Sequence, residues 1–292
     1  MVTENFWRRL KRPIMAQAPM ANVTDAAFRR IIAKYGKPDV LFTEFVSADG
    51  LLSEGREALL AELIYSGSER PIVAQLFSGN PEKMFEAGML VKKLGFDGLD
   101  INMGCPDRSI EKSGAGAALI KNPRLAREII RAGKEGASGL PVSIKTRLGY
   151  NRDELEAWLP ELLEERPAAI TIHARTRKEM SKVPAHWDRV KHAVEMRDAL
   201  KSQTLILGNG DVMSIAEAKE KAEETEADGI MLGRAIFGNP WLFANSRELA
   251  NESVQKLMRN RLPKFSEITT TYLTHTYKLE NVRMFFQFAS AS

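Results

Sequence analysis

The sequence predicts an α/β protein, a closed (β/α)8 TIM barrel with a small C-terminal α-helical domain. Eight short apolar runs rich in strand-forming residues recur along the chain, and each is followed by a longer stretch with helical periodicity. Over residues 13–238 these units average roughly 28 residues, the length of one βα unit in such a barrel. Glycines cluster after the last two runs, where a barrel commonly binds phosphate.

The alternative architecture is an open, doubly wound sheet. Such a sheet normally carries a glycine-rich, phosphate-binding turn after its first strand. In this chain the corresponding segment reads Ala18-Pro-Met-Ala-Asn22 and contains no glycine. The closed barrel is therefore favoured.

The predicted strands alternate with helices whose starts are marked by capping side chains. In chain order the strands are 13–20, 40–46, 72–77, 98–102, 142–148, 169–174, 205–209 and 229–233. Asn22–Asp25 precede a helix from residue 26, Asn80-Pro81 begin one through Val91, Asn122-Pro123 begin one over 124–132, and Ser214 begins one over 215–222.

The alternation stops near residue 245, which divides the chain into two predicted regions. Residues 1–245 are predicted to form the barrel. Residues 246–292 form a short helical region, in which Ser246–Met258 and Glu267–Phe288 have helical patterns and Leu262-Pro-Lys-Phe265 breaks them. This region predicts a small appendage and not a second full domain.

The composition limits the classes of protein that this chain can belong to. With 44% hydrophobic and 27% charged residues it has the balance of a soluble globular protein. The single cysteine, Cys105, excludes an internal disulfide framework and a multi-cysteine metal site, and it fits a reducing cytoplasm. No segment resembles a signal peptide or a membrane span, so we expect a cytoplasmic protein. The net charge of +4 does not by itself establish nucleic-acid binding.

Catalytic groups in a TIM barrel lie at the carboxyl ends of the strands. Gln75 at such an end is explained equally well by capping of a backbone group and by ligand contact. Lys145 differs, because a lysine within a strand would point into the barrel mouth, where an ammonium needs an anionic partner. The predicted strand ends carry Pro19-Met20, Glu44, Gln75, Asn102 with Cys105, Lys145 with Arg147, His173 with Arg175, Asn209-Gly-Asp211 and Gly233-Arg234.

The last two strand ends predict a phosphate site. Glycine amides in Gly208-Asn-Gly-Asp211 and Gly233-Arg234 provide backbone N–H donors, and the Arg234 guanidinium provides a positive charge. The ligand would be phosphorylated, with its other end near Lys145, Gln75 and His173.

Cys105 stands out at the end of the fourth strand. The apolar run stops at Asn102-Met-Gly-Cys-Pro106, which places a thiol and a carboxamide where side chains meet solvent. Most free cysteines are buried and inert. The position between Gly104 and Pro106, off a strand end, favours a functional thiol instead.

These segments resemble the tRNA-dihydrouridine synthases, which are FMN-dependent barrel enzymes. Each segment is short, but their order and spacing together are specific. The resemblance covers residues 13–245 and rests on Ala18-Pro-Met-Ala, Asp25-Ala-Ala-Phe-Arg, Thr43-Glu-Phe-Val, Ala74-Gln-Leu-Phe, Leu99-Asp-Ile-Asn-Met-Gly-Cys-Pro, Gly114-Ala-Gly-Ala-Ala-Leu, Ser143-Ile-Lys-Thr-Arg-Leu-Gly, Ile172-His-Ala-Arg-Thr-Arg, Gly208-Asn-Gly-Asp and Met231-Leu-Gly-Arg-Ala.

The resemblance implies that specific uridines in tRNA are reduced to 5,6-dihydrouridine, with NADPH as the electron donor. Hydride passes from FMN N5 to C6 of the base, and Cys105 protonates C5. Lys145 lies against flavin N1 and O2, and Asn102 bonds the uracil edge.

The resemblance also implies the remaining contacts. Pro19 and Met20 form a shelf under the flavin ring, while Gln75 and His173 contact the ring or the ribityl chain. The chain and phosphate are held by Asn209, Gly210, Asp211, Gly233 and Arg234. Substrate is met by Arg147, Arg175 and Arg177. We expect a monomer with no obligate protein partner and no membrane.

Two segments depart from the family pattern. The family commonly has Tyr-x-Gly-x-Ala-Asp-Trp where this chain has Met180-Ser-Lys-Val-Pro-Ala-His-Trp187, so substrate contacts in this loop should differ. The C-terminal helical region of the family, which helps to form the tRNA cleft, is usually longer than residues 246–292. We expect this region to be naturally short, frameshifted or truncated.

Two other functions fit the same residues. One is an FMN-barrel oxidoreductase that acts on a small pyrimidine or an enone. The other is a tRNA-binding protein that has lost turnover, against which the intact Cys105, Asn102 and Lys145 argue.

Overall fold

A parallel sheet of eight strands forms the centre of the molecule in the computed structural model, which describes residues 5–244. The strand order is β1-β8-β7-β6-β5-β4-β3-β2, and a parallel bridge between Ala16 and Val40 joins β1 to the segment that leads into β2. This arrangement confirms the predicted TIM barrel. The strands are β1 Ile14–Gln17, β2 Leu41–Ser47, β3 Ile72–Phe77, β4 Gly98–Met103, β5 Val142–Arg147, β6 Ala169–His173, β7 Leu205–Asn209 and β8 Gly229–Leu232.

The helices pack outside the sheet and begin at the predicted caps. The Asp25 side chain accepts a hydrogen bond from Phe28 N, and Asn80, Asn122 and Ser214 cap their helices in the same way. The α-helices are α1 Ala26–Tyr35, α2 Ala48–Leu51, α3 Arg56–Glu62, α4 Pro81–Lys93, α5 Arg108–Lys112, α6 Pro123–Ala137, α7 Leu155–Glu164, α8 Trp187–Ala199 and α9 Ile215–Thr225.

Three of these helices are longer than the sequence predicts, and the helix from Pro81 extends two residues past Val91 to Lys93. The helix that begins at Pro123 continues to Ala137, where Ser138 adopts a left-handed conformation (φ 32°), and the helix from Ile215 reaches Thr225. Conversely, β1 ends at Gln17 and not at Met20, because Pro19 has no N–H with which to continue the ladder.

The interior of the barrel is closed by apolar side chains at the amino ends of the strands. Phe6 and Trp7 form part of a short 3-10 helix, Phe6–Arg9, and their rings stack with centroids 5.0 Å apart. Trp7 also packs against Phe42. These side chains belong to the same buried cluster as Ile14 and Val73. The carboxyl ends are left as the place where polar side chains converge.

The predicted helical region at 246–292 lies outside the described residues. Within residues 5–244, no helix combines the length and the apolar character needed to cross a membrane.

Candidate active site at the carboxyl ends of the strands

A cavity of about 260 Å³ opens at the carboxyl ends of the strands. It brings together every predicted site residue except Arg177. The predicted residues that line it are Pro19, Met20, Gln75, Asn102, Cys105, Lys145, Arg147, His173, Arg175, Asn209, Gly210, Asp211, Gly233 and Arg234. Lining residues that the sequence did not single out include Phe45, Thr146, Ser181, Val212 and Met213.

The backbone at Cys105 is fixed by the side chain of Asn102. Oδ1 of Asn102 accepts hydrogen bonds from Gly104 N (3.1 Å) and Cys105 N (2.9 Å). The Cys105 carbonyl accepts a bond from Ala117 N at 3.0 Å. Gly116 has φ +59°, and a Cβ there would lie 2.8 Å from the Cys105 oxygen, so this position requires glycine. The glycine-rich segment after the cysteine thus supports the loop that carries the thiol.

Cys105 itself is half-buried. Burial raises the pKa of its thiol above the ordinary value, and the charges of Arg147 and Lys145 only partly oppose this effect. The side chain therefore stays protonated at neutral pH. A neutral thiol carries the proton that a general acid must supply.

Arg147 holds the same loop from the other side. Its Nε donates to Gly104 O at 2.8 Å, and its Nη1 donates to the carbonyls of Thr176 (3.1 Å) and Met180 (3.0 Å). Burial lowers the pKa of Arg147 to about 10. The guanidinium therefore joins the loops after β4 and β6, and it also lines the cavity.

Lys145 extends from β5 into the cavity, as the sequence predicts. Its Nζ donates to Asn209 Oδ1 at 3.1 Å, and Asn209 Nδ2 donates in turn to Met231 O at 2.8 Å. Burial, followed by repulsion from Arg147, lowers the pKa of Lys145 to about 8. Within residues 5–244 Lys145 forms no ion pair, so an anionic ligand would stabilise its charged form.

A second group of polar and charged side chains lies at the carboxyl ends of β6, β7 and β8 and in the segments that follow them. Arg175 forms an ion pair with Asp211, and its Nη1 lies 3.1 Å from His173 Nε2. Arg234 Nη2 bonds the other carboxylate oxygen of Asp211 at 2.9 Å. Burial, followed by repulsion from Lys145, moves the pKa of His173 far below its usual range. The imidazole is therefore neutral, and its Nε2 can accept the bond from Arg175.

Arg177 lies apart from the cavity. It forms a bidentate pair with Glu111, with Nε 2.8 Å from Oε1, and its guanidinium stacks on the Tyr150 ring with Cζ 5.2 Å from the centroid. Lys121 lies 4.4 Å from the centroid of the same ring. Arg177 thus links the loop after β6 to α5, which follows Cys105. Its contact with substrate stays a prediction.

Asp100 is a buried polar residue next to the cavity for which the sequence pattern at the strand ends predicts no role. It is 1% exposed, and its carboxylate accepts bonds from Gln75 Nε2 (2.7 Å) and Ser143 Oγ (2.6 Å). A signal was present in the sequence. Asp100 stands two residues before Asn102, and side chains at that spacing in a strand share a face.

The charge around the cavity favours an anionic ligand. Four cationic side chains line it, those of Lys145, Arg147, Arg175 and Arg234, and Asp211 is the one carboxylate among the described lining residues. Because Asp211 is paired with two of these cations, positive charge predominates.

Comparison with known proteins identifies relatives over nearly the whole chain. A family model described as dihydrouridine synthase matches residues 16–289. The chain is 41% identical over 285 residues to a probable tRNA-dihydrouridine synthase of Staphylococcus aureus (strain COL), with 97% of this chain and 84% of the relative covered. It is 42% identical over 264 residues to probable tRNA-dihydrouridine synthase 2 of Bacillus subtilis (strain 168), covering 89% and 81%.

Solved structures with the same fold are more distant in sequence. Morphinone reductase in complex with tetrahydroNAD superposes with a TM-score of 0.56 at 14% identity, covering 82% of this chain and 86% of that one. Histamine dehydrogenase from Rhizobium sp. 4-9 gives a TM-score of 0.59 at 15% identity, covering 84% and 46%. At these identities the likeness concerns the barrel alone.

Proposed function

This chain belongs to the dihydrouridine synthase family, and we propose that it reduces specific uridines in tRNA to 5,6-dihydrouridine with bound FMN. One observation carries the proposal. The single thiol of the chain, kept neutral by burial, borders a cationic cavity at the strand ends. Uridine reduction needs a hydride at C6, a proton at C5, and a pocket for both cofactor and base, and this arrangement suits all three.

The cavity fits an FMN on chemical grounds. A phosphate would be stabilised by the Arg234 guanidinium and by backbone N–H groups at Gly210 and Gly233. We propose that Asn209 and Asp211 hold the ribityl chain and that Pro19 and Met20 lie under the ring. Gln75 and His173 would contact the ring or the ribityl chain.

Bound FMN, once reduced, supplies the hydride for C6 of the base. Lys145 would stabilise negative charge on the flavin ring, because its ammonium is largely removed from water and forms no ion pair in the described residues. Such a contact raises the pKa of Lys145 back towards its ordinary value. Lys145 also donates a hydrogen bond to Asn209. In this proposal, the residue that stabilises charge on the ring therefore also positions a residue that would hold the ribityl chain.

Cys105 delivers the proton to C5 in this proposal. The raised pKa of the thiol keeps the proton on sulfur until the base is in place. Asn102 lies next to it in the cavity and would hydrogen-bond the uracil edge. Arg147 and Arg175 line the same cavity and would meet the substrate, as would Arg177 from outside it.

A uridine in folded tRNA must leave its stack to enter a concave site. The net charge of +4 favours approach of the phosphate backbone. For the reductant we propose NADPH, on the family resemblance, with NADH as the comparison in the assay. We also propose a monomer that acts in the cytoplasm.

The proposal is tested with the purified full chain. We expect the protein to bind FMN, seen as quenching of flavin fluorescence on titration. Transfer RNA from cells that lack the gene should contain less dihydrouridine by mass spectrometry than tRNA from cells that carry it. Unchanged dihydrouridine in tRNA, or reduction of free uracil at a rate that tRNA does not exceed, would count against it.

A further inference from the structure

A chain of buried hydrogen bonds runs from β5 through β4 and β3 to the loop at Cys105. Ser143 Oγ donates to Asp100 Oδ1 (2.6 Å), and Gln75 Nε2 donates to Asp100 Oδ2 (2.7 Å). Asn102 Nδ2 donates to Gln75 Oε1 (3.0 Å). Asn102 Oδ1 then accepts from Cys105 N (2.9 Å). We call Asp100, Gln75 and Asn102 the amide relay.

The direction of every bond in the amide relay is fixed at its ends. An ionised carboxylate can only accept, so Gln75 must turn its NH2 group towards Asp100. The Gln75 oxygen then faces Asn102 and takes an N–H from it. The Asn102 oxygen is thereby turned towards the backbone N–H of Cys105, which can only donate. Both ends impose the same orientation, and neither amide is free to flip.

We propose that Asp100 is a positioning residue that fixes the orientation of both amides and, through them, the backbone at Cys105. The catalytic consequence rests on the proposed function, because it concerns the thiol that would protonate the base. Both amides also line the cavity. The N–H hydrogens that they do not use within the relay are therefore the groups that they offer to a bound ligand.

An uncharged side chain of the same shape would not enforce this direction, because the Ser143 hydroxyl can accept as well as donate and an amide at position 100 can therefore turn either of its groups towards Gln75. When the amide turns its NH2 group towards Gln75, the Gln75 side chain must flip to present its oxygen. That flip turns a donor towards Asn102, which must flip in turn. The reversed Asn102 would present NH2 to the N–H groups of Gly104 and Cys105, leaving both without an acceptor.

The cost of keeping a carboxylate here supports a functional reason for it. Asp100 is 1% exposed and has no ion pair within the described part of the chain. Burial raises its pKa from 3.8 to about 6, against the bonds from Ser143 and Gln75 and the attraction of Lys145. The fold thus retains a carboxylate whose charged form burial disfavours, at a position where a group that can only accept hydrogen bonds fixes the orientation of Gln75 and Asn102.

The test uses the alkylation rate of Cys105 by iodoacetamide, measured by mass spectrometry on the purified full chain at several pH values. Because Cys105 is the single cysteine, no other thiol contributes. The variants form a cycle: Asp100→Asn, Gln75→Glu, and the two combined. Ser143→Ala is the matched control, measured over the same pH series, since it removes one bond to the same carboxylate and leaves the direction of the relay intact.

Asp100→Asn should raise the pH-independent alkylation rate by at least about tenfold, because the loss of one hydrogen bond accounts for about that factor and the loop loses the two that Asn102 accepts. Ser143→Ala should change it by less than about threefold. The combined variant should return towards the wild-type rate, because the new carboxylate at position 75 accepts from both neighbours and the relay keeps its direction. If Asp100→Asn fails to fold, folding of the combined variant with a wild-type rate supports the same conclusion.

The proposal is overturned if Asp100→Asn and Ser143→Ala alkylate alike, or if the combined variant is no closer to wild type than Asp100→Asn. Alkylation requires neither FMN nor tRNA, so it remains decisive even for a chain that reduces no uridine. Where the chain is active, Asp100→Asn should lower kcat by about 100-fold through displacement of the thiol, a larger factor than the loss of FMN affinity that follows from reversal of the Gln75 amide. Equal loss of both would indicate a collapsed cavity instead.

Discussion

Asp228 and Asp100 are both buried aspartates, one next to a barrel strand and one within a strand. Asp228 is surrounded by cations, whereas Asp100 has only neutral hydrogen-bond donors within residues 5–244. Asp228 immediately precedes β8, and its carboxylate accepts from Ile206 N at 2.8 Å and pairs with Arg197 (2.7 Å) and Arg12 (2.6 Å). Asp100, within β4, is held by two neutral donors, Gln75 and Ser143.

The two ends of the barrel differ in the same way. Next to the amino ends, Asp97 accepts from Ile72 N and pairs with Arg70, as Asp228 does with its own partners. At the carboxyl ends, burial lowers the pKa values of Lys145 and His173 and raises that of Cys105. Next to the amino ends of the strands, ion pairs and hydrogen bonds of carboxylates stabilise the fold. At the carboxyl ends, ionisable side chains lie in environments that disfavour their charged forms, which is typical of functional sites.

The largest effect is expected for the Cys105 thiol at the carboxyl ends of the strands. Cys105→Ala should lower tRNA reduction by about 100-fold to 10,000-fold, the range for loss of a general acid, and FMN affinity should hold. Wild-type activity should fall at alkaline pH as the thiol, with its raised pKa, loses its proton. Stopped assays across pH measure both effects. Undiminished reduction by Cys105→Ala would remove the cysteine from the mechanism.

Next to the amino ends of the strands, Asp228→Ala should lower the stability of the fold. It leaves the Ile206 N–H and the Arg197 guanidinium without their shared acceptor, which costs about 3 kcal/mol for a buried pair. Denaturant unfolding measures this loss, and kcat of the folded fraction should stay near wild type. A large fall in kcat with unchanged stability would contradict the division between the two ends.

Glu44, in the middle of β2, is another buried residue whose charged form is disfavoured. Its carboxylate accepts from Val23 N at 2.8 Å and faces Glu62 and Asp25. Burial and then Glu62 raise the pKa of Glu44 from 4.5 to about 8. The folded state therefore holds a proton that the unfolded chain releases, and stability falls as pH rises from 4.5 to 8.

The change in unfolding free energy approaches about 1.4 kcal/mol per pH unit for one proton. Glu44→Gln should flatten the curve over this window. Denaturant unfolding at pH 6, 7 and 8 checks it, with Asp49→Asn on neighbouring α2 as the control. A variant whose pH dependence matches wild type would show that Glu44 is ionised in the fold.

The smallest effect is expected at Arg177, and it separates two roles. If Arg177 meets substrate phosphate, Arg177→Lys keeps the charge and the salt dependence of tRNA binding. If the bidentate pair with Glu111 is what matters, Arg177→Lys and Glu111→Gln should each slow reduction by about threefold to fivefold with KM unchanged. Steady-state kinetics at two salt concentrations measure both outcomes.

Most of the barrel was predictable because the pattern of apolar and polar residues that marks each strand and helix lies within a short stretch of sequence. Apolar runs and capping residues mark strands and helix starts without knowledge of partners. Cys105 and Asn102 were predictable because a strand end stops the apolar run beside them. Lys145 was predictable for a related reason, because a lysine within a barrel strand must direct its charge to the mouth of the barrel.

The relations between strands were harder to predict. The bond between Gln75 and Asp100 depends on the parallel register that sets these residues opposite each other, and no local pattern encodes register. Glu111 and Arg177 are far apart in the chain and meet only because α5 lies against the loop after β6. No local pattern predicts this pair, and the contact of Arg177 with substrate is an expectation from the family resemblance alone.

The most direct measurement is a single turnover of the wild-type chain. Protein loaded with FMN and reduced beforehand is mixed with an unmodified tRNA transcript, and dihydrouridine is quantified by mass spectrometry. One dihydrouridine per reduced flavin should form, and its C5 should take up deuterium when the protein is equilibrated in heavy water. A reduced flavin that stays reduced in the presence of tRNA, with no dihydrouridine formed, would contradict the account.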